Sequence, residues 1–206
     1  MKGHLAALAL GALPGLVLYG AALPLRRRRI AADGKRTTPL RECAMALFWM
    51  FCGGMAVLTL TPRWVASSLP DALAGRGWHL DGGFFRLGSV NLVPFRTFAA
   101  DSHSLYILAG NVGMFLPFGF FCAALGLCRT RSGALALGFA ITVGVETWQL
   151  LVGRTFDVDD LMLNALGVVL GYALWRMLER WRPELGRCFC LREDFSREWE
   201  RDGNDT

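Results

Sequence analysis

Long apolar runs alternate with short polar segments along most of the chain. A helix needs about 20 predominantly apolar residues to cross the hydrocarbon core of a bilayer, and five segments approach that length. They cover residues 4–25, 43–61, 105–128, 133–153 and roughly 158–178. The pattern predicts an all-α fold, a polytopic transmembrane helix bundle with about five spans.

The first run has a signal peptide as its alternative interpretation, because Lys2 gives it a basic start. Its apolar stretch is long for a signal peptide, and the basic segment LRRRRI follows directly. Such a cluster opposes translocation of the residues after it. We therefore expect a retained helix.

The Lys and Arg residues predict the orientation of the bundle, since cytoplasmic segments are enriched in them. With the amino terminus outside, segments on the cytoplasmic side hold 16 of the 22 Lys and Arg. The reverse orientation would place the cluster Arg26 to Arg29 outside. The predicted topology has the amino terminus out and the carboxyl terminus in.

The predicted spans divide the chain into four parts. Residues 1–61 form two helices with a basic cytoplasmic loop, and residues 105–178 form a three-helix core. Residues 62–104 form a long extracytoplasmic loop whose scattered aromatic residues suggest an interfacial or re-entrant piece. Residues 179–206 form a charged, solvated cytoplasmic tail whose first turns continue the fifth helix.

Composition agrees with a membrane protein, since 53% of the residues are hydrophobic and 19% are charged, with a mean hydropathy of +0.36. The formal net charge of +5 does not indicate nucleic-acid binding, because the basic residues border apolar runs and no recognition motif accompanies them. The six cysteines lie within apolar runs or near segments placed inside. We expect free thiols.

Polar side chains interrupt three of the spans at a similar depth. At 1.5 Å per residue, Glu146 and Gln149 lie one to two turns below the outer end of the fourth span. Asn111 lies one to two turns below the start of the third span, and Asn164 about one turn below the start of the fifth. The sequence therefore predicts a polar layer near the outer surface.

Helical spacing predicts which way these groups point. If the fifth span begins early, Asp157, Asp160 and Asn164 share one face, and Asp159 points elsewhere. Gly167 and Gly171 continue that face as a small-xxx-small stripe, along which a neighbouring helix can approach closely. The polar face is expected to be the one that faces the bundle.

Glu146 is the strongest functional candidate, because a carboxylate facing lipid is costly. It should face inward, either protonated or paired with a cation, and the candidate cations are Arg154 and Arg96. A purely structural ion pair with Arg154 is the alternative. Asn111 also has a structural alternative, which is a hydrogen bond between helices.

Four fragments of the second half carry a resemblance to a known family. They are NLVPF at 91–95, GNVGMFLPFG at 110–119, VETWQ at 145–149 and GRTFDVDDLMLNALGVVLGY at 153–172. Together, in this order, they resemble the VanZ-like family of small bacterial membrane proteins over residues 89–172. The first span and most of the long outer loop lie outside this region and inherit nothing from the resemblance.

The resemblance implies a set of polar positions and a cell envelope context. Thr142 stands where the family often has a Ser, so a hydroxyl is retained. The family's namesake is linked to low-level resistance to the lipoglycopeptide teicoplanin, and the family as a whole has no settled biochemical activity. The implied location is the bacterial cytoplasmic membrane. The family's polar positions are Asn91, Asn111, Glu146, Gln149, Arg154, Asp157, Asp160 and Asn164, and its shaping residues are Pro94, Phe95, Pro117, Gly119 and Gly167.

Three functions are compatible with such a layer. The first, which we favour, is a non-enzymatic module that binds a membrane lipid, a lipid-linked cell-wall precursor or a lipoglycopeptide, with Arg154 or Arg96 pairing a phosphate. The second is an enzyme acting on a lipid-linked substrate, with Glu146 as general acid or base. The third is a proton- or ion-coupled carrier. The candidate ligand-binding residues are the eight polar positions above together with Arg96.

No cofactor and no metal site are expected. The segment DVDD lacks the spacing and the glycine of an EF-hand calcium loop. Lipids or lipid-linked molecules are the expected partners, nucleic acid is not, and a homo-oligomer stays open.

Overall fold

The computed structural model describes residues 2–77, 87–96, 104–128 and 130–193, which form a helix bundle with two very small sheets. The strands are β1 (Lys35–Arg36), β2 (Val90–Asn91), β3 (Phe156–Asp157) and β4 (Arg192–Glu193). The helices are α1 (Lys2–Ala32), α2 (Pro39–Leu60), α3 (Arg63–Leu73), α4 (Ser104–Ala124), α5 (Arg131–Leu151), α6 (Val158–Trp181) and α7 (Pro183–Phe189).

The helices confirm the all-α polytopic bundle. Within the described residues, four stretches are long and apolar enough to cross a membrane, namely Ala9–Ala32, Pro39–Leu60, Arg131–Leu151 and Val158–Trp181. A shorter apolar stretch, Leu108–Ala124, belongs to α4. The orientation of the bundle in the membrane stays a prediction.

Helices α1 and α2 pack against each other through glycines. A Cβ on Gly11 or Gly53 would collide with the backbone of the other helix, and one on Gly15 would collide with the carbonyl of Trp49. Because α1 runs to Ala32, the cluster Arg26 to Arg29 is helical. The helix therefore continues beyond residue 25, where the first predicted span ends.

Helices α4 and α6 lie side by side with their amino termini at the same end, as the small-residue stripe predicted. A Cβ on Gly171 would collide with the carbonyl oxygen of Leu116, and one on Gly167 with that of Val112. From the other side, Gly119 of α4 lies against the backbone of Val168. This close approach fixes the depth of polar side chains on one helix relative to those on the other.

The bundle has two distinct ends, which we name by their residues. At the polar end, where α5 ends and α6 begins, β2 pairs in parallel with β3. At the basic end, where α2 begins and α6 ends, β1 pairs antiparallel with β4. Residues 183–193 of the predicted tail form α7 and β4, and most of the side chains described there are at least partly exposed; residues 194–206 lie outside the described part.

Candidate functional site

The site is built on the tight turn between α5 and α6 at the polar end. Gly153 adopts a positive φ of 82°, a conformation that glycine accepts without a Cβ penalty. The chain then returns as β3, and Asp157 caps α6 by accepting a hydrogen bond from the backbone N–H of Asp159 at 3.0 Å. An aspartate is a favoured residue at this capping position.

The segment 87–96 is held against this turn by its backbone. Gly88 donates to the carbonyl of Leu150 at 2.8 Å, and Phe156 donates to the carbonyl of Ser89 at 2.9 Å. A Cβ on Gly88 would collide with the carbonyl oxygen of Arg154, so only glycine fits there. Two stretches more than 60 positions apart thus form one continuous loop surface.

Side chains of the turn reinforce this attachment. Asn91, which is 7% exposed, donates from Nδ2 to Oδ1 of Asp157 at 3.0 Å. Phe95 donates its backbone N–H to Oδ1 of Asp159 at 2.6 Å and adopts a φ of 65°. That conformation is uncommon for a bulky residue, and the Asp159 hydrogen bond helps to hold it.

Asp159 is a residue that the sequence reasoning missed. It is buried and faces the segment 87–96, whereas it was expected to point away from the site. The expectation placed Asp157 inside an early helix, but α6 begins at Val158 and Asp157 lies in β3. The acidic residues of the first turn were visible in the sequence, but nothing there identified the N–H of Phe95 as a partner.

Glu146 lies directly beneath the turn and is only 2% exposed. Its Oε2 accepts a hydrogen bond from the backbone N–H of Asp157 at 3.2 Å. The guanidinium of Arg154 is near enough to interact electrostatically with both Glu146 and Asp160. Glu146 therefore faces inward as predicted, and a backbone N–H supplies a contact that the predicted ion pair did not include.

Asp160 connects the turn to α4, which is the third helix that contributes to the polar layer. Asn111 of α4 donates from Nδ2 to Oδ1 of Asp160, and the carboxyls of Asp160 and Glu146 are within electrostatic range of each other. Asn164 lies one turn deeper on α6 and is buried, and its Oδ1 has no hydrogen-bond partner among the described residues. The predicted polar layer is thus present on α4, α5 and α6.

The structure does not bring every predicted residue into this cluster. Gln149 donates from Nε2 to the carbonyl of Thr59 at 3.3 Å, so its amide ties α5 to the end of α2. Thr142 bonds its own helix, donating to Gly138 O at 3.0 Å. Arg96 is exposed and follows Phe95 at the edge of the cluster.

Acceptor oxygens dominate the charge of the cluster. Around the turn, the carboxyl groups of Glu146, Asp157, Asp159 and Asp160 outnumber the guanidinium of Arg154. Within the described parts of the chain, no group of three or more His, Cys, Asp or Glu is spaced to hold a metal ion. Such a site suits a ligand group that donates hydrogen bonds, such as a hydroxyl or an amine.

Comparison with known proteins identifies one family. A family model described as VanZ/LLP1 matches residues 44–179. The match begins inside α2 and includes the long connection before α4, so the family region is longer than the resemblance over residues 89–172 suggested. No curated protein and no solved structure matches the chain.

Proposed function

Since the chain belongs to the VanZ/LLP1 family, we propose that its polar cluster binds the headgroup of a lipid or of a lipid-linked cell-wall component at the outer leaflet of the bacterial cytoplasmic membrane. The observation that carries this proposal is the convergence of Glu146, Asp160 and Asn111, from three helices, beneath the segment 87–96. A buried polar cluster in a membrane bundle is costly unless its groups are satisfied, and it marks a functional site by default.

Several acceptor oxygens of the cluster accept no hydrogen bond from the described residues, which supports a ligand that donates hydrogen bonds. Of the two oxygens of Glu146, only Oε2 accepts a hydrogen bond from the described residues, and of those of Asp160, only Oδ1 does. The Oδ1 atom of Asn164 accepts none. Sugar hydroxyls or an amino group of a headgroup could donate hydrogen bonds to these carboxylate and amide oxygens.

The edge of the cluster supports an amphipathic ligand. Leu92, Val93 and Phe95 are 65%, 60% and 59% exposed. They directly precede Arg96 in the chain, which is exposed as well. Apolar side chains of this kind contact acyl chains at the membrane interface. A guanidinium beside them suits the phosphate that joins a headgroup to its lipid anchor.

A consequence for antibiotic susceptibility follows from this placement. Teicoplanin carries a fatty chain and acts at the outer face of the membrane, where lipid-anchored cell-wall precursors are displayed. Binding of such a precursor, or of the antibiotic itself, would shield or reposition the target. We therefore propose that the protein lowers susceptibility to lipoglycopeptide antibiotics.

The test compares two site variants with a matched control. Glu146→Gln and Arg154→Ala are expected to reduce the lipid that co-purifies with the protein, measured by native mass spectrometry, and to restore lipoglycopeptide susceptibility in cells. Glu184→Gln makes the same chemical change at an exposed position of α7 at the basic end and should leave both readouts unchanged. If both site variants behave like the control, the binding function is wrong.

The proximity of two carboxyl groups favours one second candidate, an enzyme acting on a lipid-linked substrate. Glu146 and Asp160 are close enough to interact electrostatically, and such a pair can divide the roles of proton donor and acceptor. Turnover of a purified precursor lipid by the wild type, abolished in Glu146→Gln, would favour this candidate. Binding of the precursor without any turnover would favour the binding module.

A further inference from the structure

The basic end of the bundle contains a buried cation in an unusual setting. Arg41, in the first turn of α2, is 9% exposed. Its guanidinium donates to two backbone carbonyls, those of Phe189 and, at 2.8 Å, Leu125. Its Nε is buried and has no hydrogen-bond partner in the described part of the chain. Two neutral carbonyls thus account for two of the five N–H donors of the side chain.

No carboxylate in the described residues forms an ion pair with Arg41. The neighbouring carboxylate, Glu42, is bonded instead to Arg26, Thr37 and Tyr19. A buried charge without a paired counter-ion is strongly unfavourable. Among the described side chains, the nearby carboxylate of Glu42 interacts electrostatically with Arg41 but is bonded to other groups, so the guanidinium has no ion-paired counter-ion there.

A cavity lies beside this guanidinium. It has a volume of about 300 Å³, and its lining includes Arg41, Leu125, Trp175, Glu179 and Phe189. This volume is at the lower limit of the range for small-molecule sites, roughly 300 to 1,000 Å³. Glu179 is ion-paired with Arg176, so the negative charge that it brings to the lining is partly offset.

We propose that this cavity binds a phosphate group, with Arg41 as its cationic ligand. A guanidinium matches the oxygens of a phosphate in geometry and is readily placed in buried sites. A monoanionic phosphate group fits better than a dianion, because the Glu179 carboxylate in the lining is only partly offset by Arg176. Its source is either the headgroup of a phospholipid in the adjacent leaflet or free inorganic phosphate. This site lies at the opposite end of the bundle from the polar cluster, so the proposal does not depend on the proposed function.

The experiment uses the purified full-length protein in detergent. Inorganic phosphate is compared with chloride at equal ionic strength by the intrinsic fluorescence of thermal unfolding, and retained phospholipid is measured by native mass spectrometry. At about ten times its dissociation constant, a ligand should raise the Tm of a chain of this size by roughly 3–6 °C. A shift with inorganic phosphate supports free phosphate as the source, and retained phospholipid supports the headgroup.

Two variants separate the charge from the packing. Arg41→Gln keeps an amide N–H donor on a shorter side chain but removes the charge, and should abolish the phosphate shift and the retained lipid. Thr38→Val loses the hydrogen bond to Cys188 O, 2.6 Å in the wild type, and the cap on the backbone N–H of Arg41, but it keeps the guanidinium and should retain both responses at a lower Tm. The proposal is overturned if the wild type shows neither response, or if Arg41→Gln responds like the wild type.

A third variant decides the matter if Arg41→Gln does not fold. Glu179→Gln removes a negative charge from the lining and should strengthen the response of the protein to phosphate. An unchanged or weaker response in Glu179→Gln would contradict the proposal.

Discussion

Asn111 on α4 and Asp160 on α6 are hydrogen-bonded across a helix interface, although 49 positions separate them in the chain. The bond joins the helix that precedes α5 to the helix that follows it. It therefore links the elements that surround Glu146 without involving Glu146 itself. The polar cluster depends on this bond for the relative position of α4 and α6 near the turn.

A double-mutant cycle measures the strength of this link. Asn111→Ala and Asp160→Ala should each lower the free energy of unfolding, and the double variant should lose less than the sum of the two. Hydrogen bonds between membrane helices have coupling energies averaging about 0.6 kcal/mol and reaching about 1.7 kcal/mol. Additive effects in detergent unfolding experiments would show that the two side chains do not interact.

Gly171 provides a test of the close packing beneath the cluster. Because a Cβ there would collide with the carbonyl oxygen of Leu116, Gly171→Ala should force the helices apart and cost about 1–3 kcal/mol of stability. Gly144→Ala is the matched control, since nothing lies within 4 Å of a Cβ at that position. The control should be neutral or stabilising by up to about 1 kcal/mol, and equal Tm losses in both variants would contradict the packing.

Asp159 is expected to hold the segment 87–96 in place. Asp159→Ala removes the acceptor of the Phe95 N–H, and hydrogen bonds to charged groups contribute about 1.5–3 kcal/mol. Hydrogen exchange at residues 87–96 should therefore accelerate roughly tenfold or more, while α5 keeps its protection. Asp159→Asn retains an acceptor oxygen and should show a smaller effect. Exchange as slow in Asp159→Ala as in the wild type would mean that other contacts hold the segment.

Helix periodicity and depth were predictable from the sequence. The rise of 1.5 Å per residue was enough to place Asn111, Glu146 and Asn164 in one layer. The spacing of Gly167 and Gly171 was enough to predict a close neighbour for α6. Both inferences rest on distances within a single helix, which the sequence fixes once the residue is known to be helical.

Contacts that depend on a helix boundary or on the backbone were not predictable in the same way. Asp159 lies about 100° around α6 from Asp160 and does point to another side, but the segment 87–96 packs on that side and supplies the N–H of Phe95, a contact that helix periodicity cannot predict. The burial of Arg41 was not predicted either, because its partners are the backbone carbonyls of Leu125 and Phe189, and every residue type has such a carbonyl.

Cysteine labelling in intact cells tests directly whether the polar cluster lies at the outer surface of the membrane. In a variant without the six native cysteines, single cysteines are placed at Thr155, which is exposed beside the cluster, and at Thr130, which is exposed at the other end of α5. A thiol reagent that cannot cross the membrane is then applied to intact cells. We predict rapid labelling at position 155 and protection at position 130; labelling at 130 with protection at 155 would contradict the account.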